Sequence, residues 1–168
     1  NHLGEAQSIR GLAQYTEEVR DRFINLAISY NINIITGSMP YVKEDGGLYN
    51  VGFLVRRDGS YEMYEKVHVT PDEIKSWGLS GGKMVQTFDT DCAKIGILIC
   101  YDVEFPELSR IMADQGMQIL FVPFLTDTQN GYSRVRVCAQ ARAIENECFV
   151  VIAGSVGNLP RVHNMDIQ

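Results

Sequence analysis

The sequence predicts an α/β layered sandwich, and three observations carry that expectation. After residue 93 the pattern runs strand, helix, strand, helix, strand, an order that lays helices over a sheet. Residues 48–65 read instead as a strand–turn–strand unit, which a layered α/β fold also accommodates. The chain has 168 residues, 45% hydrophobic and 21% charged. That is enough apolar material for one domain or a large part of one, and too balanced a composition for disorder or a disulfide-built miniprotein.

Val19, Phe23, Leu26, Ala27 and Tyr30 recur at helical spacing, behind Thr16-Glu17-Glu18, which offer a cap and an acidic first turn. Residues 32–37 read as a short buried strand and Leu48–Val55 as a longer one, separated by a polar loop with Asp45-Gly46-Gly47. The turn Arg57-Asp58-Gly59-Ser60 feeds a strand over Tyr61–Glu65. A loop holding Pro71, Gly78, Gly81 and Gly82 leads to strands near 85–88 and 93–99. Pro106-Glu107 then opens a helix marked by Leu108, Ile111 and Met112. A buried strand over 119–123, a helix over 133–146 and a strand over 149–153 complete the pattern, with no internal repeat or linker.

Fifteen Lys and Arg against twenty-one Asp and Glu give a net charge of −6, which repels a phosphate backbone and excludes nucleic acid as the expected partner. No stretch reaches the apolar length of a membrane span, and the N-terminus lacks the order of a signal peptide, so a soluble cytoplasmic protein is expected. Cys92, Cys100, Cys138 and Cys148 include no C-x-x-C pair and no zinc-finger spacing, so no metal site is expected and free thiols are the default. The chain opens at Asn1 and closes at Gln168 without a terminating feature, which reads as a segment.

Cys100 ends the apolar run Ile95-Gly96-Ile97-Leu98-Ile99, where a strand delivers its C-terminal edge to a crevice. A thiol in that position alone is more often an inert small hydrophobe. A helix beginning near Pro106 would turn its N-terminal amides toward the thiolate, and the Tyr101 N–H could face an oxyanion. Gly96 marks a close approach within the strand. Residues 65–73, Glu-Lys-Val-His-Val-Thr-Pro-Asp-Glu, gather acids, a cation and an imidazole around a proline. They read either as a solvated loop or as a cation, Lys66, held in a cleft where it would stabilise a thiolate and an oxyanion.

These two stretches resemble motifs of the nitrilase superfamily of carbon–nitrogen hydrolases. Glu65-Lys66-Val67-His68 through Pro71 and Glu73 is similar to its lysine motif, and residues 96–107, Gly-Ile-Leu-Ile-Cys-Tyr-Asp-Val-Glu-Phe-Pro-Glu, to its cysteine motif. Residues 140–146 and 149–151 resemble the helix and strand that follow. The resemblance implies an αββα sandwich, hydrolysis of small non-peptide amides through a thioester, and no metal or cofactor. Cys100 is implied as nucleophile, Lys66 as its cationic partner and Glu73 as an auxiliary carboxylate. The family's general-base Glu matches no residue here and is expected upstream of residue 1, making 1–168 a hydrolase domain incomplete at both ends. A homodimer or larger homo-oligomer is implied as well. Residues 122–127, 134–140 and 156–160 look like a branch whose hydrolase follows an acetyltransferase domain.

Phe124, Thr126, Asp127 and Tyr132 follow the buried strand after the cysteine helix, where loops line the ligand crevice, and are the pocket candidates. Asp102, Glu107, Arg142 and Glu145 read as structural charges. Gly81-Gly82-Lys83 fails as a phosphate loop because Trp77 and Met84 stand where Gly and Ser or Thr are required. A cysteine phosphatase fails because the first Arg after Cys100 is Arg110. Two alternatives stay open: a Cys–His hydrolase using His68, and a non-catalytic binding or assembly module of the same fold.

Overall fold

The computed structural model describes residues 2–156 and divides into two compact units, residues 1–84 and 85–168. Residues 157–160, which carried part of the branch resemblance, lie outside the described residues.

The first unit opens with helix α1 (His2–Leu12), a single 3₁₀ turn and helix α2 (Thr16–Tyr30). Helix α2 matches its apolar spacing, but the expected cap at Thr16 is corrected. The Thr16 hydroxyl donates to the Pro40 carbonyl at 2.6 Å, so it ties the helix start to the sheet instead of closing an N-terminal amide. Five strands follow: β1 (Ile34–Ile35), β2 (Met39–Val42), β3 (Leu48–Val55), β4 (Tyr61–Glu65) and β5 (Leu79–Ser80). Strand β3 is the spine. Antiparallel β1 and β2 share one of its edges, while antiparallel β4 and parallel β5 share the other.

Side chains alternate along a strand, so β3 presents two faces. Tyr49, Val51, Phe53 and Val55 pack with Ala27, Phe23 and Ile24 of α2. The register Gly52↔Tyr64 puts Gly52, Asn50 and Tyr64 on the opposite face, followed by Lys66 two residues beyond Tyr64. Gly52 is required there. A Cβ would lie 2.0 Å from the Gly37 carbonyl and 2.3 Å from the Tyr64 ring, whose hydroxyl donates to that same carbonyl at 2.6 Å.

The second unit holds β6 (Thr87–Asp89), β7 (Lys94–Ile97), a 3₁₀ turn (Cys100–Glu104), α3 (Pro106–Asp114), β8 (Ile119–Phe124), α4 (Gln129–Asn146) and β9 (Phe149–Gly154). The sheet order is β6-β7-β8-β9, antiparallel for the first pair and parallel for the rest. The parallel β7-α3-β8-α4-β9 run is the alternation expected from residue 93 onward. Each unit therefore supplies helices over a sheet. Gly96 does mark a close approach, made by side chains: a Cβ there would meet Met117 Sδ at 2.3 Å and Met112 Sδ at 2.8 Å.

Several boundaries differ from expectation: the strands expected at 32–37 and 93–99 are confined to Ile34–Ile35 and Lys94–Ile97, and the polar loop expected ahead of Leu48 contains β2. Helix α4 starts at Gln129, four residues earlier than the apolar spacing suggested, because Thr128 caps it by accepting the Gly131 N–H at 3.0 Å. The first strand of the unit sits at 87–89, not 85–88. No described helix is long and apolar enough to cross a membrane.

Candidate active site

Lys66 follows the last residue of β4, and its backbone is gripped from both sides. Its N–H donates to Asn50 O at 2.9 Å, and its carbonyl accepts from Gly82 N at 2.8 Å. The Gly81-Gly82 pair that failed as a phosphate loop has this role instead. A Cβ on Gly81 would lie 2.4 Å from Val67 O, and one on Gly82 would lie 2.8 Å from the Glu65 side chain. Only glycines let the loop pass so close to the lysine strand.

The Lys66 side chain is 3% exposed, and its Nζ donates to Glu73 Oε1 at 2.7 Å and Oε2 at 2.6 Å. Glu73 is fixed in turn by a reciprocal pair of bonds. Thr70 N–H donates to Glu73 Oε2 at 2.7 Å, and Glu73 N–H donates to Thr70 Oγ1 at 3.2 Å. This is the Thr-x-x-Glu capping box, with Pro71 the first helical residue ahead of the turn Glu73–Trp77. Residues 65–73 are thus no solvated loop: a buried cation and a buried carboxylate neutralise each other. An ammonium has three donors, so such a pair leaves capacity toward a third acceptor. Asn50, which the sequence reading passed over, shares this face, and its Oδ1 is buried with no hydrogen-bond partner among the described residues. His68 is half-buried beside the pair in sequence.

Cys100 lies in the other unit, at the first position of the 3₁₀ turn after β7. Its backbone is left-handed, with φ of 50°. Among the described residues, Asn31 and Glu147 are the other non-glycines with positive φ, and both terminate α-helices, where that conformation is ordinary. Cys100 terminates no helix. An L-residue held there carries local strain, and such strain clusters at functional positions. The turn is pinned by Asp102, fully buried, whose carboxylate accepts the Ile99 N–H at 3.3 Å and whose own N–H donates to Ile99 O at 3.1 Å. The Tyr101 and Phe105 rings stack edge-to-face across the turn at 5.0 Å. The helix expected just beyond the thiol is preceded by this turn, and α3 begins at Pro106.

The Cys100 thiol donates to the Leu125 carbonyl at 3.5 Å, which brings the loop after β8 against it. Thr126 in that loop is buried, Asp127 is exposed, and Gly131 packs against Thr126, where an added Cβ would sit 3.1 Å away. Two pocket candidates are not on the loop. Phe124 is the last residue of β8 and Tyr132 stands in the first turn of α4, their rings 6.1 Å apart. Cys138 and Cys148 are of a different kind: burial pushes both thiols up. No cluster of metal-ligating side chains occurs among the described residues.

Comparison with known proteins gives a consistent picture. The profile of the carbon–nitrogen hydrolases matches residues 3–167. A probable hydrolase of Bacillus subtilis, YhcX, is 54% identical over 161 residues, covering 96% of this chain and 31% of that protein. The deaminated glutathione amidase of Synechocystis sp. is 34% identical over 169 residues, covering 94% and 61%. Among solved structures, Nit3 of Saccharomyces cerevisiae, a member of branch 10 of the nitrilase superfamily, aligns with a TM-score of 0.79 at 28% identity, over 88% of this chain and 54% of that one. A cysteine-to-alanine mutant of an amidase from Nesterenkonia sp. AN1, in complex with butyramide, aligns with a TM-score of 0.76 at 25% identity, over 88% and 56%. A glutamate-to-glutamine mutant of that amidase shows Michael addition of acrylamide at its active-site cysteine. The chain spans less than two thirds of the length of each of these relatives.

Proposed function

Because the chain belongs to the carbon–nitrogen hydrolase family, we propose that Cys100 is the nucleophile of an amidase acting on small amides through a thioester. The observation that carries this is the left-handed Cys100 at the end of a parallel strand, held by a pinned turn and facing the loop after β8. An inert core thiol needs no such backbone.

The chemistry follows from the groups. The Cys100 thiol loses its proton to a carboxylate base, and the sulfur attacks the amide carbon, whose oxygen becomes an oxyanion. Lys66 and the Tyr101 N–H stabilise that oxyanion, while Glu73 keeps the lysine aimed and compensated. The protonated base gives its proton to the leaving nitrogen, releasing ammonia or an amine and leaving the acyl group on sulfur. The base then takes a proton from water, whose oxygen attacks the thioester, and returns it to the departing thiolate. Every step is nucleophilic or acid–base and calls on no metal or cofactor.

Glu73 is poorly suited as the base. Both its oxygens are held by Lys66, and protonating it would strand a buried ammonium. By the motif resemblance the base is instead a family glutamate that none of these 168 residues matches. The acetyltransferase domain ahead of the hydrolase unit and pairing into a homodimer belong to the same proposal. The first is compatible with a match that covers only 31% of the Bacillus relative.

Butyramide and acrylamide, named for the Nesterenkonia amidase, and the ω-amidase relatives put small acyl amides and ω-amides into the test panel, and N-carbamoyl compounds join them from the motif resemblance. The full-length protein is expected to release ammonia from at least one of them and to cleave no peptide. Inactivity across the whole panel would favour the non-catalytic module.

A further inference from the structure

A left-handed non-glycine residue persists only when its surroundings over-determine it. Asp102 fixes the start of the Cys100–Glu104 turn. Its other end is held from α4. Arg142, 5% exposed, donates from Nε to Val103 O at 3.0 Å and from one terminal nitrogen to Glu104 O at 3.3 Å. The other terminal nitrogen is taken by Glu145 at 2.6 Å. One planar guanidinium thus satisfies two consecutive carbonyls of the turn that begins at the thiol, and no lysine can reproduce that fork. Around it, Arg134 reaches the Glu104 carboxylate at 3.3 Å, and Asn146 donates to Arg142 O at 2.9 Å. The clamp therefore starts from a helix about five turns long rather than from a loop.

We infer that Arg142 is the positioning residue that keeps Cys100 in the backbone conformation from which its thiol attacks. The inference rests on the assignment of Cys100 as nucleophile and extends it, since Arg142 acts through the carbonyls of the turn. Releasing the two carbonyls lets the turn relax toward ordinary backbone angles and moves Sγ. A misplacement of about 1 Å at a reacting atom costs about 10²-fold in rate.

In the full-length protein, Arg142→Met is expected to lower kcat by about 10²-fold with KM within about threefold, and to slow carboxymethylation of Cys100 in parallel. Arg142→Lys should recover part of both. Arg110→Met removes a different arginine between α3 and α4, one bonded to Glu145 O, and should leave kcat unchanged. A backbone test is independent of turnover. Glycine adopts positive φ without penalty, so only a residue with a Cβ recovers strain when the turn relaxes, and the Tm lost on Arg142→Met should be larger in a Cys100→Gly background than in Cys100→Ala. A folded Arg142→Met with wild-type kcat, or equal Tm losses in the two backgrounds, would overturn the inference. If Arg142→Met does not fold, Arg142→Lys decides: an intermediate kcat at unchanged KM supports the role, and wild-type kcat removes it. Activity surviving Cys100→Ala would instead overturn the proposed function, so the two failures are distinguishable.

Discussion

Replacing Cys100 by alanine in the full-length protein is expected to reduce amide turnover by about four orders of magnitude or more while leaving the protein folded. A nucleophile that forms a covalent intermediate has no substitute, and what survives its loss comes from binding and oxyanion stabilisation alone. Stability should hardly suffer. Cys100 is half-exposed at a sheet end, and its thiol makes a long contact of 3.5 Å to Leu125 O. The measurement is ammonia release beside a urea melt. Loss of turnover with an unchanged melt marks a chemical role, whereas parallel loss of both marks a structural one.

The second large effect is expected at the buried ion pair. Lys66→Met removes an oxyanion donor, worth about 10²–10³-fold in kcat. It also leaves Glu73 buried without its cation, and breaking a buried pair costs about 3–5 kcal/mol. Glu73→Gln is expected to cost similar stability, since the ammonium then loses its countercharge, yet to retain more activity than Lys66→Met because the donor itself remains. His68→Gln separates the rival Cys–His hydrolase: it should retain turnover, whereas a dyad would lose it. Urea melts and kcat for the three variants give the ordering. A Glu73→Gln protein less active than Lys66→Met would make Glu73 the base and overturn the assignment of roles.

What was legible in the chain followed periodicity. Leu48–Val55 and Tyr61–Glu65 match β3 and β4 residue for residue, because a spine strand is a nearly continuous buried run and its partner lies across a four-residue turn signal. Helix α3 was legible from Pro106, which suits a first helical position. Helix α1 was not, since Gly4 and Gly11 weaken its pattern. Strand β5 was also missed, because a two-residue strand beside β3 is made by tertiary pairing and leaves no period in sequence.

At the site, motif resemblance located Lys66, Glu73 and Cys100, but residue type alone left Lys66 in either a solvated loop or a cleft. The Thr70-Pro71-Asp72-Glu73 capping signature was present in the sequence, and it is the feature that explains why Glu73 turns back to the lysine. The left-handed Cys100 was illegible, as a non-glycine gives no sign of positive φ. So was Arg142's hold on Val103 and Glu104, a contact between residues 38 and 39 positions apart.

The most direct test is to mix the full-length protein with an amide substrate, quench within one turnover and map the acyl group by peptide mass spectrometry. Cys138 and Cys148, with thiols pushed up by burial, are less thiolate near neutral pH and give a low background. An acyl mass on the Cys100 peptide, lost on treatment with hydroxylamine and absent from Cys100→Ala, is expected. Acylation of another residue, or undiminished ammonia release by Cys100→Ala, would contradict it.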